Sequence, residues 1–391
     1  MPQVWMLSLS QALCMSGSFL LVMLGGIIGA GLAPSPALAT LPVSVLILGL
    51  ATSVLPSGAL IRRFGRRAVF TASAIQAAIG CVVAGASIMA GSFAGFCAAA
   101  FLMGANNAVV MQYRFAAVEY VESTRASRAI SIVMSGALAA AWLGPEIAVR
   151  AANLVAGAEY AGSFFAGSGL YLLSALLLAR LAPSSVPLSS AAEAPRPLRA
   201  IAAQPDFRVA VLAALVSYAV MSFIMTATPI SMHVVDGHAE VATARVIQAH
   251  LLAMYLPSLA SGWIIGRFGD RPVIAAGAVL MSACVAIAAF AGHAVLHYFW
   301  ALVLLGLGWN LMFIAATTLL TRTYRPHERI QAQTLNDFLV FGAQAAASLA
   351  AGAALATIGW QALNLATIPA IAAVLAAIAL ARRARAGTQA A

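Results

Sequence analysis

The sequence predicts an all-α integral membrane protein with twelve transmembrane helices in two six-helix halves related by a pseudo-twofold axis. Three observations carry this expectation. The 391 residues are 63% hydrophobic and 8% charged, with a mean hydropathy of +0.96, far above what the core of a water-soluble domain needs. The apolar residues run continuously for about 20 residues or more, the length a helix needs to cross roughly 30 Å of hydrocarbon, whereas a transmembrane β-barrel would alternate apolar and polar positions. The chain also repeats itself at an offset of 204 residues: Arg63-Phe64-Gly65-Arg66-Arg67 returns as Arg267-Phe268-Gly269-Asp270-Arg271, and Gly58, Gly104, Asn106, Tyr120 and Arg125 return as Gly262, Gly308, Asn310, Tyr324 and Arg329.

The first span, about 4–31, follows Met1-Pro2-Gln3-Val4-Trp5. This start lacks the basic segment of a signal peptide and the apolar stretch is too long for one, so the span is expected to be retained. Spans 2 to 6 are expected at 38–60, 68–91, 94–118, 129–149 and 162–182. The Pro-, Ser- and Ala-rich stretch 183–206 reads as a linker between halves 1–182 and 207–391. Spans 7 to 12 follow at 208–231, 244–265, 273–293, 297–319, 333–356 and 360–381. Equal helix counts on either side of the linker make the duplication parallel, which places a cavity between the halves near midplane. Pro56, Pro145, Pro229 and Pro257 interrupt spans and serve either as hinges or as fixed bends.

All 21 basic residues are arginine, and the net charge is +10. Eighteen of them fall at alternate helix ends, in the linker and at the C-terminus; Arg150 and Arg245 lie on the other side and Arg114 inside span 4. Arginine retained on one side of the membrane orients a multi-pass protein, so both termini and the linker are expected in the cytoplasm, and the charge does not call for nucleic acid. Cys14, Cys81, Cys97 and Cys284 fall within spans, where lone thiols pack as small apolar groups; neither a disulfide nor a metal site is expected. No phosphate-binding loop or metal-ligand cluster and no soluble nucleotide domain supports an enzyme or an ATP-driven pump, and no cofactor is expected. A channel would call for rings of repeated charge.

Gly58-Ala59-Leu60-Ile61-Arg62-Arg63-Phe64-Gly65-Arg66-Arg67 resembles the loop after helix 2 of the major facilitator superfamily of secondary transporters, Gly-x-Leu-x-Asp-Arg-x-Gly-Arg-Arg, and the resemblance covers the whole chain. It implies transport by alternating access. Arg62 stands where the family has Asp, and Gly266 takes that place in the second copy, so the cytoplasmic latch that this Asp implies must use another acid or be weaker. Glu119 and Asp337 are available near that surface and are expected to pair with Arg63, Arg66 or Arg67, or else to sit in water among the headgroups; Arg267 and Arg271 are the matching basic positions of the second half.

Arg114 is the one arginine inside a span. It either lines the cavity, where its planar fork suits an anionic, carbonyl-rich or imide substrate, or snorkels to the headgroups. Asn107 lies seven residues before it, and Asn106, Gln112 and Tyr113 add to a polar face. Glu146, after Gly144-Pro145, is either a proton-coupling carboxylate or the i,i+4 partner of Arg150. The family's exporters carry further glycines after this Gly-Pro, and Ala148 and Val149 stand there instead, which leans against drug efflux.

Thr228-Pro229-Ile230-Ser231-Met232-His233, Gly308-Trp309-Asn310, Asn336-Asp337-Phe338 and Gln112-Tyr113-Arg114-Phe115 are similar to a bacterial subgroup that includes riboflavin importers. A flat apolar ring edged by carbonyls and an imide needs aromatic or Met faces with a few polar anchors. Tyr218, Met225, Gln248, His250, Tyr255, Trp309, Asn310, Asn336 and Gln344 could supply these with Arg114, Asn106, Asn107 and Gln112, although helix packing accounts for many such residues singly. The expected activity is uptake of riboflavin or a related vitamin, driven by protons on the family's analogy, by a monomer in a bacterial inner membrane among lipid. Proton-coupled efflux of drugs or metabolites and a facilitative channel or uniporter are the alternatives. Function is expected where the 204-residue echo fails, as at Arg114 against Thr318 and Asn336 against Ile132.

Overall fold

The computed structural model describes residues 1–122, 126–182, 196–325 and 328–390; side chains at 118, 126–128, 329–330 and 382–390 are outside that description. The echoed Arg125, the linker stretch 183–195 and the side chains of Arg128, Arg329, Arg382, Arg383 and Arg385 therefore lie outside the described residues. The helices are α1 Pro2–Leu32, α2 Leu41–Met89, α3 Phe93–Val110, α4 Tyr113–Val118, α5 Ala126–Arg150, α6 Ala161–Leu178 and α7 Leu198–Ala202, then α8 Pro205–Pro229, α9 Glu240–Tyr255, α10 Ser258–Phe268, α11 Asp270–Phe290, α12 Val295–Thr321, α13 Arg329–Leu365 and α14 Ile368–Ala390.

Among the described residues, nine helical runs are long and apolar enough to cross a membrane, and α9 with α10, bent by 44°, makes a tenth. Two of the nine, Pro36–Met89 and Gln331–Ala381, hold 54 and 51 residues. At about 1.5 Å per residue each exceeds two bilayer thicknesses. Each is broken by a glycine with positive φ, Gly65 (φ 79°, ψ 161°) and Gly359 (φ 73°, ψ 176°), so the runs hold two spans apiece and the total is twelve, as the apolar stretches predict. Gly269 adopts φ 85° and ψ 161°, nearly the angles of Gly65. Only glycine enters that region readily. At this point the 204-residue echo is an echo of backbone conformation, which is why both copies have Gly there.

Span 4 departs from expectation. It breaks between α3 and α4, where the Gln112 amide turns back to Val109 at 2.9 Å instead of to the residue four before it. The turn there is tightened to the 3₁₀ type, and the α ladder resumes beyond it with the Ala116 amide on the Gln112 carbonyl at 3.0 Å. Span 7 ends at Pro229, which has no amide proton for the α ladder, and continues as a π-helical turn, Ile230–Val235.

The chain packs as two compact units, Met1–Pro187 with Thr226–Leu252, and Leu188–Met225 with Ala253–Ala391. In the first, α1 is the enclosed helix: Leu7, Leu20, Leu21, Met23 and Leu24 are all buried to within 1%. Close approach between helices uses glycine, as at Gly104, where a Cβ would run into the Leu46 carbonyl oxygen. In the second, Gly308 lies against Gly277 and Met281, so the same echoed glycine serves the same purpose.

Candidate functional site

The second unit holds an aromatic cluster assembled from four helices. Tyr218 on α8 receives the rings of Trp309 and Phe313 from α12 and of Phe341 from α13 at centroid distances of 5.1, 4.8 and 5.7 Å, each close to edge-on. Trp309 and Phe313, one turn apart on α12, stack at 5.3 Å with 16° between their planes. Tyr255, the last residue of α9, meets Trp309 edgewise at 6.2 Å. Met225, seven residues after Tyr218 on the same helical face, is buried.

Buried polar groups sit on the same helices. Along α13, Asn336, Val340, Phe341, Gln344 and Ser348 are buried at helical spacing, which makes them one inward face. Trp309 Nε1, Asn336 Oδ1 and Gln344 Oε1 have no hydrogen-bond partner among the described residues, although Trp309, Asn336 and Gln344 are 5%, 6% and 9% exposed. An unpaired buried polar atom costs about 1–3 kcal/mol, so these three atoms on α12 and α13 are candidates to meet a ligand. Asn336 Nδ2 donates to Asp337 Oδ1 at 3.1 Å. Asn310 is different: it is fully buried, donates to the Met254 carbonyl at 2.7 Å and to Ser258 Oγ at 2.6 Å, and accepts from Ser261 Oγ at 2.8 Å. It ties α12 to the α9–α10 break, where Pro257 leaves the carbonyl ladder open.

In the first unit the polar residues largely bind one another. Ser18 Oγ donates to Asn107 Oδ1 at 2.7 Å and Asn106 Nδ2 to Ser73 Oγ at 2.7 Å, which cross-links α3 to α1 and α2. Cys14 Sγ lies 3.2 Å from Ser174 Oγ. Gln112 sits half-buried at the span 4 break, and Arg114 is half-buried with its guanidinium 4.8 Å from the Phe115 ring centroid. His250 is fully buried on α9.

Glu146 does more than pair with Arg150, whose Nε lies 2.8 Å away. Arg245 on α9 donates to the other carboxylate oxygen at 2.6 Å and to Gln248 Oε1 at 2.8 Å, and lies over the Trp142 ring at 5.1 Å. Gln248 Nε2 reaches both Glu146 and the Trp142 carbonyl at 3.2 Å. Gln248 is thereby part of a tie between α5 and α9 and not grouped with the aromatic cluster. A groove of about 420 Å³ runs beside it between Trp142, Glu146, Arg150 and Ala166.

At the arginine-rich ends, Arg66 Nε donates to both Glu119 oxygens at 3.0 and 2.9 Å, while Arg63 and Arg67 are exposed. The offset carries Arg66 onto Asp270, which pairs with Arg322 at 3.1 Å. Each sequence half therefore joins the start of its third span to the end of its fourth by a salt bridge, and the two bridges have opposite polarity. This accounts for Arg in one copy of the loop and Asp in the other. Arg271 pairs with Asp206 at the start of α8, and Arg267 is exposed.

Sequence reasoning missed Glu328. Its carboxylate takes Arg196 in a two-pronged bridge, Nε to Oε1 at 2.6 Å and Nη2 to Oε2 at 2.7 Å, and accepts the Arg196 and Arg325 amides at 3.2 and 2.8 Å. Gln331 holds the Arg196 carbonyl at 3.1 Å. The Arg196 hydrogen bond, with help from the amides, holds the Glu328 carboxyl well below the usual carboxylate range. The signal available was one acid among Arg322, Arg325 and Arg329. A depressed pKa stabilises the fold above the unfolded value, about 4.3, and that contribution is lost as pH falls toward the folded value. Glu328→Gln is therefore expected to lower Tm by the same amount from pH 7 to pH 5, with the gap to wild type closing below about pH 4.3. A gap that does not change with acidification would contradict the clamp.

A family model described as the Major Facilitator Superfamily matches residues 7–248 and 210–390. Riboflavin transporter RfnT of Brucella anthropi is 40% identical over 376 residues, covering 96% of this chain and 94% of that protein. Uncharacterized MFS-type transporter YdeG of Bacillus subtilis is 30% identical over 93% of this chain and 87% of its own. Among solved structures, a bacterial homologue of the human lysosomal transporter Spinster, inward-facing and occupied, aligns with a TM-score of 0.75 at 16% identity over 97% of this chain and 96% of its own. Nucleoside transporter NupG aligns with a TM-score of 0.75 at 15% identity over 97% and 98%. At these identities the structural likeness speaks to the fold.

Proposed function

We propose that this chain, which belongs to the Major Facilitator Superfamily, is an alternating-access importer of riboflavin. The observation that carries the reading is the aromatic cluster around Tyr218, with buried polar atoms left open on the adjoining helices, in a chain 40% identical to a riboflavin transporter along nearly its whole length. The isoalloxazine ring is flat and apolar on its faces and polar along one edge. Such a ligand is held by aromatic faces with a few fixed hydrogen-bonding groups.

The moving bodies are the halves 1–182 and 207–391 joined by the linker 183–206. The protein works as a monomer in the lipid of a bacterial inner membrane, both termini in the cytoplasm, a reading the arginine distribution supports, with the proton gradient as driving force. The Glu146–Arg245–Gln248 tie joins α5 to α9, helices of different halves, on the side away from the arginine-rich loops, and acts as the outer gate. Arg66–Glu119 and Asp337 belong to the inner side; Arg63, Arg67, Arg267 and Arg271 form its basic rim.

Breaking a partly buried ion pair leaves one charge uncompensated. Both Glu146→Gln and Arg245→Gln are therefore expected to change the uptake rate severalfold, and the exchange Glu146→Arg with Arg245→Glu to restore part of it. Equal defects in the exchange and the single variants would remove the gate assignment. For the function itself, the gene is expected to restore growth of a riboflavin-auxotrophic, transport-deficient strain on micromolar riboflavin. An expressed, membrane-inserted protein that gives no rescue would contradict it.

A further inference from the structure

Trp309 lies fourteen residues from the start of α12 and twelve from its end, and Gln344 fifteen from the start of α13. At about 1.5 Å per residue these are depths of roughly 18–22 Å, close to midspan. Tyr218 is thirteen residues into α8, at the same level. Asn336 is only seven residues into α13 and is engaged through its amide nitrogen by Asp337. The two midspan side chains with bare atoms are therefore an indole N–H, which only donates, and a carboxamide oxygen, which only accepts. Phe341, three residues before Gln344 and on the same face, touches Tyr218, which touches Trp309, so two rings, Tyr218 and Phe341, run from Trp309 to the Gln344 face.

A buried tryptophan N–H normally finds a partner, and stacking on Phe313 fixes the direction of this one. A donor and an acceptor held beside aromatic faces complement a planar ligand edge that carries a carbonyl next to an N–H. Resting on the riboflavin reading above, we infer that this unit recognises the flavin by its imide edge: Trp309 Nε1–H donates to a ring carbonyl and Gln344 Oε1 accepts the imide N–H, with the ring system against Tyr218. The ribityl chain, whose hydroxyls both donate and accept, does not need so fixed a pair. The assignment makes Gln344 and Trp309 specificity-determining and extends the ligand class to ribityl-free flavins that keep the imide.

The test is binding to the purified full-length protein, read by quenching of flavin fluorescence, with riboflavin, lumiflavin and 3-methylriboflavin as probes. Riboflavin and lumiflavin are expected to bind within severalfold of each other, and 3-methylriboflavin, whose imide N–H is replaced, at least about tenfold more weakly. Gln344→Leu is expected to narrow that ratio toward one by weakening riboflavin, whereas Trp309→Phe weakens both riboflavin and 3-methylriboflavin and leaves their ratio in place. Equal binding of riboflavin and 3-methylriboflavin to the wild-type protein overturns imide recognition while leaving riboflavin as substrate. Failure of a monodisperse wild-type protein to bind any of the three removes the riboflavin reading and this inference with it.

Discussion

Tyr218→Ala is expected to reduce riboflavin uptake more than tenfold at unchanged protein level. The phenol ring is the hub on which Trp309, Phe313 and Phe341 meet, at 4.8 to 5.7 Å. Each such edge-on pair adds about 0.5–1.5 kcal/mol beyond burial, so losing three together removes both the proposed wall for a flat ligand and the restraint on the Trp309 plane. Tyr218 is itself only half-buried, so the truncation should be tolerated by the fold better than the loss of a fully enclosed ring. Tyr218→Phe keeps the ring and is expected to keep most of the uptake. Uptake by Tyr218→Ala that matches wild type would exclude the cluster as the substrate wall.

Gly104→Ala is the second large effect, and it acts on the fold. A Cβ there meets the backbone carbonyl of Leu46, which no rotamer change can move, so the helix bearing Leu46 and α3 must separate. Forcing extra atoms into a packed interior costs about 1–3 kcal/mol, and a backbone clash belongs at the upper end or beyond. The variant is expected to lose folded protein after detergent extraction and to melt well below wild type. The echoed change Gly308→Ala presses on the Gly277 carbonyl and on the Met281 side chain, which can yield, and should cost less. Equal melting of Gly104→Ala and wild type would contradict the packing described for spans 2 and 4.

Much of this fold was legible because membrane crossing leaves a strong mark: each span is a long apolar run, and all twelve lie where such runs occur. The repeat was legible because its glycines perform the same backbone task twice, as Gly65 and Gly269 do with nearly equal angles. The break in span 4 was not legible, since Met111-Gln112 holds neither proline nor glycine and the shift of one hydrogen bond has no residue signature. The aromatic candidates Tyr218, Tyr255 and Trp309 come together in space. The sequence groups Asn106, Asn107 and Asn310 with them, since an asparagine inside a span looks functional; in the structure each holds a hydrogen bond to a neighbouring helix, a contact that a single sequence cannot distinguish from one to a ligand. Glu328 escaped notice because an acid in a basic loop resembles an ordinary solvated charge until its four donors are seen.

The reversed salt bridges, Arg66 to Glu119 and Asp270 to Arg322, show how a duplicated frame can diverge without losing a joint. Such pairs tie helices within a unit and need not titrate or move during transport. The tie through Glu146 is distinct because Arg245 and Gln248 come from the other sequence half. On the proposal that the two sequence halves rock, this tie is the one that breaks, while the reversed pairs stay closed.

The most direct measurement is uptake of labelled riboflavin into proteoliposomes holding only this protein, with and without an imposed inward proton gradient. Saturable accumulation that rises with the gradient and is competed by unlabelled flavin is the predicted result. Flavin entry no faster than in protein-free liposomes, from a preparation shown to be folded and inserted, would contradict the account.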